Sequence, residues 1–171
     1  MIVLLRAFWG ICTLRVAPQD IPASTALLSV TSILNIAVSI VINQITLPAS
    51  SPAAGSAVLA ASIEFLMLCG LTSAVLYGLD KTARIVQTLT ALMGSGVIIG
   101  TGVLLALALL PQLPEFLRLT IFLWNLLVMA HILRHALNIH FAIAFCVAVG
   151  YAIVLVELIM LVARLLQPAA T

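Results

Sequence analysis

Charge is what this sequence has least of. Only 7% of its 171 residues are Asp, Glu, Lys or Arg, against about 25% in an ordinary soluble domain. With 64% hydrophobic residues and so little charge to coat them, a water-soluble globule is excluded. The net charge of +2 is small and scattered. No basic patch interleaved with aromatics accompanies it, which excludes a nucleic-acid partner. Cysteine is scarce as well. Cys12, Cys69 and Cys146 stand far apart in apolar runs without CxxC spacing, so neither a zinc site nor a disulfide frame is expected. They read as small buried hydrophobes. Residues 1–16 have no charged start and no A-x-A-like site after them, which predicts that they are not a cleavable signal. No Ser-His-Asp or Cys-His arrangement and no HExxH is present. No catalytic residue, metal or cofactor is predicted, and the chain is not expected to be an enzyme.

What the sequence has in abundance is long apolar runs. The stretch Lys81 to Leu110 is a short charged turn followed by about 26 residues without a charge after Arg84. That exceeds the roughly 20 apolar residues needed to cross a hydrocarbon core. Its middle carries Gly94, Ser95, Gly96, Gly100, Thr101 and Gly102. Small residues so spaced let neighbouring helix backbones approach closely, the small-xxx-small mode of packing in lipid. Gly94, Gly96, Gly100 and Gly102 are therefore candidate helix-packing positions. The GSGVIIGTG string is not a nucleotide-binding loop, because neither a strand nor a soluble helix flanks it.

Applied along the chain, the same reading predicts an all-α integral membrane bundle in one domain. Five spans are expected, at about 24–47, 57–79, 85–110, 119–137 and 141–163. Residues 1–16 are too short to span and are interrupted by Arg6 and Arg15. On a helix, Arg6, Gly10 and Thr13 form a narrow polar stripe opposite a wide apolar face. That pattern predicts an amphipathic helix lying in the membrane interface, with Trp9 at headgroup depth; packing against the bundle is the alternative. Asp20 is the expected cap of the first span, with Pro22 in its first turn. A charge-free loop is expected at 48–56, and Pro111 and Pro114 stop the third span. With the N-terminus cytoplasmic, Arg6, Arg15, Lys81, Arg84 and Arg134 lie inside, and Arg118 and Arg164 lie outside with the C-terminus.

Three groups of residues could carry chemistry. Glu64 and Glu157 are carboxylates within spans, a costly placement that is by default a functional hypothesis. Both are expected about 10 Å inside the outer boundary at 1.5 Å per residue. Asn43 and Gln44 share that layer, and Arg164 stands on the same helix face as Glu157. The functional reading is a proton- or cation-binding layer; the structural one is a hydrogen-bonded cluster joining helices. His131, Arg134, His135 and His140 form the second group. His131 and His135, at i and i+4, can turn one way toward a metal or a haem edge, but two ligands on one helix are not a full site. A cationic inner boundary meeting anionic headgroups is the favoured reading. Asn35, Gln87 and Asn125 read as interhelical hydrogen bonders.

A short basic turn, then RIVQTLTALMGSG, a Pro-containing loop, a span with FLWNLLVMAHILRHAL and a closing apolar helix together resemble the Yip (Ypt-interacting protein) family of five-span membrane proteins. The PQD-I-P segment before the first span is similar too. Eukaryotic members are associated with Rab GTPases and vesicle membranes, and they carry a longer cytosolic N-terminal region. This chain looks more like the compact bacterial relatives, which implies the bacterial inner membrane. The family supplies no catalytic residues. The leading functional expectation is a non-enzymatic scaffold or accessory protein in the lipid bilayer, contacting a membrane-protein partner or a second copy. The alternatives are a small transporter or cation pathway using Glu64 and Glu157, and an electron-carrier subunit using His131 and His135.

Overall fold

A computed structural model of the chain describes residues 2–46, 53–110 and 112–166. Six α-helices run in order: α1 (Ile2–Cys12), α2 (Thr25–Thr46), α3 (Ala53–Gly78), α4 (Ile85–Leu109), α5 (Glu115–Leu137) and α6 (Phe141–Leu166). Short 3-10 turns at Pro18–Asp20 and Thr82–Arg84 lead into α2 and α4. No strand occurs among the described residues. Five helices, α2 to α6, are long and apolar enough to cross a membrane, and α1 is a short apolar helix before them. Their backbone polar groups are satisfied within each helix, the requirement for crossing hydrocarbon. Large apolar side chains such as Ile33 and Leu66 face outward, two-thirds exposed. The architecture is that of an integral membrane protein.

The helix ends follow from local chemistry. At the end of α1, Leu14 takes a left-handed conformation with φ 60°, and the amides of Arg15 and Val16 both donate to the Gly10 carbonyl. A Cβ on Gly10 would press on the Val16 side chain, so glycine lets the chain fold back here without displacing it. The cap of α2 is Ser24, whose Oγ accepts from the Leu27 amide at 3.3 Å. Asp20, the expected cap, instead closes the preceding 3-10 turn, its amide donating to Ala17. Two residues in the left-handed region, Asp80 and Asn138, terminate α3 and α5, side chains that tolerate that conformation better than most. α5 begins at Glu115, four residues before the expected span, because Pro114 presets the entry and Glu115 favours the first helical turn. α3 likewise begins at Ala53 rather than 57, taking up the last four residues of the expected loop; residue 47 at the end of the first expected span, residues 48–52 of the loop and 167–171 of the tail lie outside the described residues.

α4 is central, packing on α2 most extensively and also on α1, α5 and α3, while α6 closes against α5 and α3. One core cluster joins α3, α5 and α6 through Leu76, Leu126, Leu133, Ala144 and Ala148. The other joins α1, α4 and α5 through Phe8, Ile11, Ala91, Leu92, Val128 and Ile132. Both clusters occupy the half of the bundle next to the N-terminal helix. That half is solid, and the opposite half is hollow.

α1 docks by one face. Phe8, Ile11 and Cys12 are buried while Val3, Leu5 and Trp9 stay exposed. The expected polar stripe is not continuous, since Arg6 is exposed but Gly10 is buried at the chain reversal. Thr13 bonds back to the carbonyls of Trp9 and Gly10. The small-residue surface of α4 receives two neighbours. A Cβ on Gly94 would lie 2.2 Å from the Phe8 ring of α1. One on Gly96 would meet Asn35 Oδ1 at 2.3 Å, and one on Gly100 would meet Val38 Cγ1 at 2.5 Å, both on α2. Gly102 has no such neighbour within 4 Å.

Candidate functional site

The hollow half contains a cavity of about 530 Å³ walled by α2, α4 and α5, with one residue of α3, Glu64, reaching it. That volume falls within the range of small-molecule sites. Its floor lies near the middle of the bundle. Asn35 is ten residues into α2, Gly96 eleven into α4 and Asn125 ten into α5, while Glu64 is eleven into α3. At 1.5 Å per residue each is about 15 Å from its helix terminus. Ser39 sits one turn from Asn35 on α2 and shares a side-chain hydrogen bond with Glu64. Tyr151 of α6 donates its hydroxyl to the Glu64 backbone carbonyl at 3.4 Å, which ties α3 at this level. The glycines at 96 and 100 contribute bare backbone to the wall, so the surface that admits α2 also makes the hollow.

Above this floor the wall is apolar, with Val38, Ile42, Val103, Leu107, Ile121 and Phe122. At the far end Thr46 and Arg118 line the cavity. Arg118 forms an exposed pair with Glu115, i and i+3, at 3.9 Å, a contact of little energetic weight. The cavity therefore has a carboxyl group and carboxamides near mid-depth, an apolar stretch beyond them and a guanidinium at the end away from α1.

The expected acidic layer is not assembled as a unit. Glu64 reaches the cavity, about 16 Å from the start of α3 rather than about 10 Å, because that helix begins earlier. Glu157 is exposed on the outer face of α6. Asn43 is half-buried and Gln44 exposed, and neither lines the cavity. Arg164 is exposed and forms no ion pair with Glu157 among the described residues. Asn35 and Asn125, read from sequence as helix linkers, instead line the cavity that Glu64 reaches. Ser39 and Arg118 were missed. The signals for them were the i, i+4 spacing of Asn35 and Ser39 and the single cation beside the proline loop.

The histidine group lies at the closed end, in a lattice of backbone contacts. His131 is buried, its Nε2 3.1 Å from the Val16 carbonyl. The His135 ring meets the His131 ring edge-on with centroids 4.7 Å apart. Arg134 and His140 are exposed. The last carbonyls of α5 are capped from elsewhere in the chain. Arg84 donates to the carbonyls of His135 and Ala136 at 3.2 and 3.1 Å, Lys81 donates to Leu137, and Gln19 donates to His135 at 3.2 Å. Gln87 holds the 19–21 segment through the carbonyls of Gln19 and Ile21. Cations at a helix C-terminus meet both orphan acceptors and the negative end of the dipole. Among the described residues no three His, Cys, Asp or Glu side chains converge to hold a metal ion. Cys12 is buried against α4, its thiol 3.8 Å from the Ser95 carbonyl, and burial pushes that thiol up to about 11.

No family model, curated protein or solved structure matches the chain. The cavity and its residues carry the functional argument.

Proposed function

We propose that the protein is a non-enzymatic membrane protein that binds a proton or small cation at Glu64, within a pathway entered from the end opposite α1. The observation that supports this best is the shape of the hollow. It extends between Arg118 and the mid-depth residues Glu64, Asn35 and Asn125, beyond which the bundle is packed. A carboxyl group in a span is costly unless it faces a partner or a wet cavity, and solute sites of membrane transporters lie at this depth. Ser39 and the two carboxamides supply oxygen ligands beside the carboxyl group. Reconstituted vesicles should show cation or proton flux that Glu64→Gln lowers about ten-fold or more, while Glu157→Gln leaves it near wild type. Wild-type vesicles with neither flux nor cation binding would sink this reading.

A scaffolding or accessory role is the second reading, favoured by Glu157. An exposed carboxylate on the outer face of a lipid-facing helix calls for a partner helix or a second copy. Cross-linking in native membranes through the outer face of α6 tests it, and a strictly monomeric protein argues against it. The resemblance to compact bacterial Yip-like proteins, inner-membrane residence and a cytoplasmic N-terminus belong to the same proposal. Five membrane-length helices support the first. The orientation is supported by the basic residues on the α1 side: Arg6, Arg15, Lys81, Arg84 and Arg134.

A further inference from the structure

A cation site needs only Glu64 and its oxygen neighbours, and it leaves the second charge on the cavity wall without a purpose. Arg118 is the cation that lines the cavity among the described residues, and it does so at the end away from the packed core. For a free metal ion or a proton, a guanidinium on the cavity wall is an electrostatic obstacle. It becomes an asset when the solute also carries an anion, because an arginine fork holds a carboxylate or phosphate by two charge-assisted hydrogen bonds. From this juxtaposition we infer that the cavity takes a compact zwitterion, with its ammonium group on Glu64 and its carboxylate or phosphate on Arg118. The inference rests on the Glu64 site proposed above and adds the substrate class.

The geometry fits such a solute. Arg118 precedes Asn125 by seven residues on α5, about 10 Å along the axis. Asn125 marks the level of the floor, and a compact solute bridges an axial step of this size through its own length and the two contacts at its ends. Between them Ile42, Ile121 and Phe122 provide an apolar wall for the carbon skeleton. Ser39 bonds to the carboxyl group, and Asn35 and Asn125 add hydrogen-bonding groups to the same cavity wall. The pair with Glu115 does not compete strongly, because both of its side chains are mostly exposed, at 61% and 89%. The cavity volume of about 530 Å³ also exceeds what a bare ion needs. The same chemistry is carried by a free solute and by the headgroup of a zwitterionic lipid.

Binding measurements on the purified full chain separate these cases, with ethanolamine as the cation-only probe, inorganic phosphate as the anion-only probe and phosphoethanolamine as the zwitterion. Phosphoethanolamine should bind about ten-fold or more tightly than ethanolamine, the gain of one charge-assisted contact, and phosphate alone should bind far more weakly. Arg118→Gln should reduce phosphoethanolamine to the ethanolamine level without changing ethanolamine itself. Glu64→Gln should abolish both. Thermal stabilisation in phosphatidylglycerol vesicles, with and without phosphatidylethanolamine, then identifies the source. Stabilisation by the lipid alone assigns the headgroup, and stabilisation by soluble phosphoethanolamine assigns a free solute. Equal binding of ethanolamine and phosphoethanolamine, or a phosphoethanolamine affinity untouched by Arg118→Gln, overturns the zwitterion while leaving the cation site intact. No Glu64-dependent binding of any probe, ethanolamine and monovalent cations included, overturns both.

Discussion

Individual residues in this protein are set by what stands against them, and the glycines of α4 show it best. Gly94→Ala drives a methyl group into the Phe8 ring and should cost about 1–3 kcal/mol by overpacking. Gly102→Ala meets nothing within 4 Å and should be neutral or stabilising by up to about 1 kcal/mol, the helix-propensity gain. Thermal unfolding of both variants in detergent checks the contrast; equal effects would contradict the contacts. Cys12 provides a second residue-scale test. Its thiol is raised to about 11 from an ordinary 9.0 by burial. A raised folded value means that the stability tied to the protonated thiol is complete below pH 9 and is lost as pH climbs toward 11. Cys12→Ser, compared with wild type across that range, should therefore flatten the alkaline decline, read as unfolding temperature against pH. A decline of unchanged steepness would show that Cys12 has no part in it. Residue identity alone could not have revealed this. Cys12, Cys69 and Cys146 look alike in sequence, yet the structure buries the first, half-buries the second and exposes the third.

Elements were more legible than their partners. The apolar runs, the prolines and the basic turn define five long helices because lipid demands length and internal hydrogen bonding, and those demands are written locally. What each helix touches is not local. Nothing in the string MIVLLRAFWGIC says that Phe8 enters the notch at Gly94, because many apolar helices offer an equivalent face. Glu157 looked equivalent to Glu64 because depth can be counted along a helix, whereas the facing direction depends on how α6 is rotated against α5. The ends of α5 carry a prediction at this scale. Arg84 satisfies two of its terminal carbonyls. Arg84→Ala should cost about 1–3 kcal/mol, since orphaned acceptors lose charge-assisted bonds. It should also speed hydrogen exchange in the α5–α6 turn, and exchange unchanged from wild type would contradict the capping role. Asn138→Val, at φ 57°, should cost about 1–2 kcal/mol, whereas Asn138→Gly should be tolerated.

At the scale of the whole molecule, the bundle is asymmetric along its axis. The half beside α1 is closed by two core clusters and by the lattice around the α5 terminus, and the other half holds a hollow that ends at Glu64. A transport cycle built on this form requires the closed half to open, and the contacts it would break are those of Arg84, Lys81 and Gln19 with α5. The central claim is that Glu64 is a solvent-reached ligand for cations. Its most direct test is carbodiimide modification of the carboxyl groups in membranes, mapped by mass spectrometry. Glu64 should be modified and progressively protected as a monovalent cation or ethanolamine is added, while modification of the outward-facing Glu157 stays constant. Glu64 modification that no cation alters would contradict the account.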